Sequence, residues 1–147
     1  PAPLNLTAMA WSWQSGRKFA KIEVTDPGTA TAWATKTFYM HLGSTGCVGD
    51  PAKGETTSCS APNRAEVRLA KFNPAKQNIA VDVKALLAGN DITKNGAGAP
   101  GCMSGATDPE CPGVFGALGI AMQNTAAPGM AMQHSMAKQT VFRAIAR

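Results

Sequence analysis

Alternating apolar and polar side chains predict short β-strands over most of the chain. In residues 35–42, Phe38, Met40 and Leu42 fall on one side, and Tyr39 and His41 fall on the other. The stretch just before it alternates in the same way, from Arg-Lys-Phe to an Asp-Pro-Gly turn. Because successive side chains of a strand point to opposite faces, this alternation is typical of half-buried strands.

Similar patterns predict the remaining elements. Strands are expected at residues 4–13, 65–69, 79–83 and 140–145, short helices at 82–87 and 114–118, and a loop at 121–138. Gly-rich and Pro-rich turns separate these elements at short intervals. The sequence therefore predicts a mainly β, β-sandwich-like fold with short helices, formed by residues 1–147 as a single domain.

Composition narrows the function classes. The chain has 147 residues and a net charge of +5, from 14 Lys and Arg against 9 Asp and Glu. These basic residues are spread along the sequence without a basic run, which favours an ordinary basic surface and predicts no binding of nucleic acid. No apolar run reaches the length of a membrane span.

Four cysteines lie in two turn-rich segments. Cys47 and Cys59 bracket one of them, and Cys102 and Cys111 bracket the other. No Cys-x-x-Cys pair is present, so the pattern favours disulfides over a zinc site and indicates an oxidising compartment. Three pairings are possible, and the spacing favours the two local ones, each closing a loop.

Two histidines are the strongest candidates for metal ligands. His41 ends a predicted strand beside the first disulfide loop, where a rigid element can hold a ligand, although an ordinary strand histidine fits the same pattern. His134 alternates with Met132 and two other methionines. Thioether and imidazole groups suit Cu(I), whereas packing in a core or a Met-rich surface segment is the alternative.

No arrangement of residues indicates catalysis. Ser44 lacks the Gly-x-Ser-x-Gly spacing of a hydrolase nucleophile, and no acid–base pair or phosphate-binding loop stands out. Hydrolase chemistry is therefore poorly supported by the sequence.

Several short blocks, in this order and spacing, resemble one family. They are Pro3-Leu4-Asn5, Met9-Ala10-Trp11-Ser12-Trp13-Gln14-Ser15-Gly16, His41-Leu42-Gly43-Ser44-Thr45-Gly46-Cys47, Cys59-Ser60-Ala61-Pro62-Asn63-Arg64 and Cys102-Met103-Ser104 through Cys111-Pro112. Together they are similar to the MbnP-like copper-binding proteins, also called metallo-mystery-pair four-Cys motif proteins. The resemblance extends over nearly the whole chain.

This resemblance implies a secreted or periplasmic bacterial protein that binds copper and is not itself an enzyme. It also implies a partner similar to a di-haem cytochrome c peroxidase, which can convert a tryptophan to kynurenine. Carried over by position, His41 becomes the first candidate ligand, and Trp13 and then Trp11 become the candidates for modification.

The chain departs from the family pattern in two places. Arg17 stands where the family usually has tyrosine, so an aromatic side chain is lost beside the tryptophans. Relatives also carry a long amino-terminal portion with a histidine just before the Pro-Leu-Asn block. Either the chain is a natural short form or a fragment of a longer protein, or a further ligand comes from elsewhere. His134 and the methionines around Met132 are then the candidates within this sequence, and another chain that supplies the missing portion is the alternative. The alternative function is a disulfide-stapled extracellular structural or interaction module without a metal site.

Overall fold

The computed structural model describes residues 7–11, 15–28, 33–50, 53–105, 107–121 and 139–147. The elements in chain order are a 3₁₀ turn at Thr7–Met9, β1 at Lys18–Thr25, β2 at Thr37–Gly43, β3 at Thr45–Asp50, β4 at Glu55–Ala61, β5 at Gln77–Val81, α1 at Val83–Leu87, β6 at Gly101–Cys102, α2 at Cys111–Leu118 and β7 at Phe142–Ala146. The seven strands contain 40 of the described residues, and the two α-helices contain 13. The prediction of a mainly β fold with short helices is confirmed.

The central sheet has the order β1-β2-β6 and carries the core on one face. β1 runs antiparallel to β2, and β6 runs parallel to it. Phe38, Met40 and Leu42 are buried on this face, as the alternation predicts. They pack with apolar side chains of the two helices, namely Leu86, Leu87, Val114, Phe115 and Leu118. Because the side chains on this face are apolar, the hydrophobic effect turns this face of the sheet inward.

The Cys102–Cys111 disulfide joins β6 to the first residue of α2. Both cysteines are fully buried within the core. Just beyond the bridge, Ser104 Oγ accepts a hydrogen bond from Gly43 N at 3.0 Å and donates one to His41 O at 2.9 Å. The covalently closed segment is therefore attached to the end of β2.

The Cys47–Cys59 disulfide crosses a β-hairpin instead of closing a loop. The two cysteines face each other in the β3–β4 ladder, so the predicted pairing is confirmed. The prediction that the residues between them form a loop is wrong, because most of them belong to the two strands of the hairpin. Thr, Val and Ser are compatible with strands, and the turn is confined to the short connection before Glu55, which contains Gly54 at a φ of 81°.

Two strand predictions are wrong in the described part. Residues 65–69 show the expected alternation of burial, but they belong to no described ladder. Thr7–Met9 forms a 3₁₀ turn, after which Trp11 N donates to Gly16 O at 3.2 Å. Alternation reports which side of a segment is buried, whereas a strand also needs a neighbour for its backbone groups.

The predicted strand at 79–83 ends early. β5 stops at Val81 because the Asp82 side chain accepts a hydrogen bond from Ala85 N at 2.9 Å and caps α1. Ile79 and Val81 are also about half exposed, at 54% and 49% of their surface, instead of facing the core. Among the described residues, no helix is long and apolar enough to cross a membrane.

The two disulfides should differ in their contribution to stability. Replacing Cys102 and Cys111 together with alanine should lower the free energy of unfolding by more than replacing Cys47 and Cys59, although the Cys102–Cys111 loop is shorter. Each bridge contributes about 2–4 kcal/mol by restricting the unfolded chain, and the buried pair also leaves a cavity in the core. Urea denaturation of the two double variants measures the order, and an equal or reversed order would contradict it.

Candidate functional site

His41 lies on the outer face of β2, opposite the core. Its side chain is only 12% exposed because two aromatic rings cover it. The Tyr39 ring lies edge-on at 5.5 Å between centroids, and the Trp11 ring lies tilted at 6.4 Å. Tyr39 is two residues away on the same face of β2, whereas Trp11 comes from the segment before β1. The imidazole is thus held in a fixed aromatic surrounding.

Trp11 is held in place by contacts from two directions. Its indole Nε1 donates a hydrogen bond to the Ser44 carbonyl at 2.7 Å, and its side chain is 8% exposed. The Lys18 ammonium lies 5.2 Å from the ring centroid and donates to the Ala8 carbonyl at 2.8 Å. This places a positive charge over the indole face.

A small network of charged groups borders His41. Its Nε2 lies 3.0 Å from Glu23 Oε1, and the Lys21 ammonium lies 2.8 Å from the same oxygen. The β1–β2 register pairs Lys21 with His41 and Glu23 with Tyr39, so Glu23 reaches the imidazole diagonally across the two strands.

Burial lowers the pKa of His41 below its ordinary value of 6.5. The hydrogen bond to Glu23 raises this pKa, and the charges of Lys18 and Lys21 lower it further. The pKa of Glu23 is itself lowered, first by its hydrogen bond with Lys21 and then by the one with His41. At neutral pH the pair is therefore a neutral imidazole beside a carboxylate. The neutral ring is the form that binds metal ions.

Of the residues expected at the site, the structure brings His41 and Trp11 together. Trp13, Met132 and His134 lie outside the described residues. Within the described ranges, no three His, Cys, Asp or Glu residues are grouped as a metal site. All four cysteines are in disulfides, so none of them offers a thiolate.

The donor groups of the described residues are of a type that binds copper, but they are too few to complete a site. His41 offers one imidazole nitrogen, Nδ1, while Glu23 Oε1 lies at hydrogen-bond distance, 3.0 Å, from the other nitrogen, Nε2. Met40 lies on the other face of the same strand, buried in the core at 2% exposure, and cannot join them. Copper sites in proteins commonly use three or more ligands, so a copper site at His41 would need further donors from outside the described residues.

Lys18, Lys21 and Glu23 take part in this site, and sequence reasoning missed them. All three lie in β1, whose apolar positions alone were used to predict the strand. A correct β1–β2 register would have placed Lys21 opposite His41 and Glu23 two pairs further along, opposite Tyr39. That register includes an irregularity between Lys18 and Ala20, which no pattern in the sequence indicates.

His41 should make the stability of the metal-free protein depend on pH. Its pKa is lower in the folded than in the unfolded chain, so the unfolded chain binds a proton first as the pH falls below about 6.5. The free energy of unfolding should therefore decrease from pH 7.5 to pH 5.5, and less so in His41→Gln. Urea denaturation at both pH values measures this, with His134→Gln as the control for the other histidine. Equal pH dependence of the parent protein and His41→Gln would contradict it.

Comparison with known proteins gives one family. The family model of MbnP matches residues 1–104. Among solved structures, the chain is similar to MbnP from Methylosinus trichosporium, with a TM-score of 0.77 and 38% sequence identity. No curated protein matches the chain.

The structural match covers 99% of this chain and 52% of that chain, so the protein described here spans about half the length of this relative. The family model covers residues 1–104, well over half of the 147 residues, and includes both Trp11 and His41. The chain therefore belongs to the MbnP family.

Proposed function

We propose that this chain is a secreted or periplasmic copper-binding protein in which His41 is the primary ligand. The observation that carries the proposal is the largely buried imidazole of His41, held between Tyr39 and Trp11 with a lowered pKa. Such a ring is neutral at pH 7 and keeps one orientation, as a metal ligand must. The two disulfides are consistent with an oxidising compartment.

Glu23 has a positioning role in this proposal. Its carboxylate lies 3.0 Å from His41 Nε2, and a neutral ring that donates its proton there carries its lone pair on Nδ1. Carboxylates commonly orient metal-binding histidines in this way. Lys21 neutralises the carboxylate and keeps it beside the ring. Copper, when bound, supplies a centre with two accessible oxidation states.

The remaining ligands are proposed to come from parts of the chain outside the described residues, or from another chain that supplies the family's amino-terminal portion. Met132 and His134 are the candidates within this sequence. Thioether and imidazole donors would favour Cu(I) at such a site.

We further propose a partner similar to a di-haem cytochrome c peroxidase, which converts Trp13, or failing that Trp11, to kynurenine. The conversion is an oxidation in which a peroxide, acting through the haems of the partner, supplies the oxidising equivalents: the indole C2–C3 bond breaks, C2 leaves as formate, and C3 becomes a ketone beside an aryl amine. The surroundings of Trp11 support Trp13 as the first choice. A hole on the Trp11 ring would lie close to the Lys18 ammonium, which disfavours its formation.

A second candidate function is a disulfide-stapled interaction module without a metal site. The small number of donors favours it, because the described residues place only one carboxylate beside the one imidazole. Copper content of protein purified without added metal separates the two functions: stoichiometric copper supports the first, and none supports the second.

His41→Ala should remove most of the affinity for Cu(I), because the imidazole is the best placed soft ligand of the described residues. His134→Ala should have a smaller effect. Competition with a chromophoric Cu(I) chelator measures both affinities, and circular dichroism checks that each variant is folded. If only His134→Ala abolished binding, the site would lie in the carboxy-terminal segment and the ranking would be wrong.

Lys18→Met should raise the yield of oxidised Trp11 about tenfold relative to oxidised Trp13, since it removes the charge over the ring and keeps the apolar stem. Lys21→Met is the matched control: it removes a cation from the same strand that is paired with Glu23 instead. Peptide mass spectrometry of protein produced beside its di-haem partner measures both yields. An unchanged ratio in Lys18→Met would contradict the role given to Lys18.

A further inference from the structure

Two acidic side chains, Asp108 and Glu110, meet beside the Cys102–Cys111 disulfide. Glu110 directly precedes Cys111 and is only 7% exposed. Asp108 is half-buried, and its carboxyl group is in hydrogen-bonding contact with that of Glu110. Two carboxylates this close repel each other, so the arrangement calls for a proton or a cation between them.

Backbone N–H groups from three places hold the two carboxyl groups. The Asp108 oxygens accept hydrogen bonds from Met103 N at 2.8 Å and from Glu110 N at 3.0 Å. Glu110 Oε1 accepts one from Gly96 N. The acidic pair therefore joins the segment before β6, the residue after β6 and the beginning of α2.

The negative charge of this pair is not balanced by a basic side chain. In the part of the chain that the structure describes, all ion pairs lie elsewhere, and the nearest in sequence joins Lys94 to Asp91 at 3.0 Å. Burying a carboxylate without a positive partner costs free energy. A bound cation would remove this cost.

Two buried oxygen atoms of this region have no hydrogen-bond donor. They are Glu110 Oε2 and Asn95 Oδ1. Asn95 directly precedes Gly96, the residue that donates to Glu110, and its Nδ2 donates to Gly98 O at 3.0 Å. The amide oxygen is thus turned away from Gly98. A shared proton serves one pair of oxygens only, whereas a metal ion binds several oxygens at once.

We propose that Asp108, Glu110 and Asn95 form a binding site for one calcium ion. All their donor atoms are oxygens, which Ca²⁺ prefers, and its flexible shell of about six to eight oxygens is completed by water. Mg²⁺ demands a more regular geometry and binds more weakly here. The ion ties the segment before β6 to the beginning of α2. This site is separate from His41 and does not depend on copper.

Isothermal titration calorimetry of the whole chain with CaCl₂, after a chelator has removed metal ions, tests the site. We expect one Ca²⁺ per chain and a higher melting temperature in its presence. Hydrogen exchange should slow at the amides of Gly96 and Met103, since both donate to the carboxylates that the ion fixes. Glu110→Gln should weaken Ca²⁺ binding about tenfold or more, because it removes one ligand charge and keeps the size of the side chain.

Asp91→Asn is the matched control, because Asp91 is an exposed carboxylate in a nearby turn, paired with Lys94. It should leave the Ca²⁺ affinity unchanged. Without metal, Glu110→Gln should be at least as stable as the parent protein, since the repulsion between two carboxylates is gone. Circular dichroism checks the folding of both variants.

The proposal is overturned if Ca²⁺ does not bind, if both variants weaken its binding equally, or if the slowed amides lie elsewhere. A shared proton would give a different result. The parent protein would then be unaffected by Ca²⁺ and would lose stability as the pH is raised, whereas Glu110→Gln would not.

Discussion

The close approach of two backbone segments at the end of β2 is the constraint on which the site depends. Gly16, Gly43 and Ser44 meet there, and a Cβ on Gly16 would overlap the Ser44 carbonyl. That same carbonyl accepts the Trp11 indole hydrogen bond. A larger residue at Gly16 would push the turn outwards and take Trp11 away from His41. The aromatic surrounding of the imidazole therefore depends on a glycine that lies against the Trp11 ring, where a Cβ would stand 3.0 Å from the indole Cδ1.

Buried polar side chains complete this junction. Asn63 Nδ2 donates to the Gly43 carbonyl at 2.9 Å, and Ser104 Oγ bonds both Gly43 N and the His41 carbonyl. Each comes from a segment next to a disulfide, Asn63 after Cys59 and Ser104 after Cys102. The two bridges thus hold two hydrogen-bonding side chains against one strand end. Because buried backbone groups must find partners, these contacts also fix where β2 stops.

How far the sequence predicts this structure depends on the range of the interactions involved. β1 and β2 follow from alternation, since a strand with one buried face shows it directly in Ala20, Ile22 and Val24 or in Phe38, Met40 and Leu42. His41 was found because it ends such a strand. The contact between His41 and Trp11 could not be predicted, since it requires the turn at Gly16 and the register of β1. For residues 65–69, the predicted alternation of burial is observed, but the predicted strand is not. The described residues include no strand that pairs with this segment.

The position of His41 also determines how a copper site could be completed. The core face of β2 is filled with apolar side chains, so no donor can reach the imidazole from inside the sheet. The neighbouring strand β1 contributes one carboxylate and two ammonium groups, and the latter repel a cation. In the proposed copper site, additional donors would therefore have to come from polypeptide that crosses the outer face of the sheet. Trp11 already reaches His41 by that route, and the residues that follow it in the sequence include Trp13.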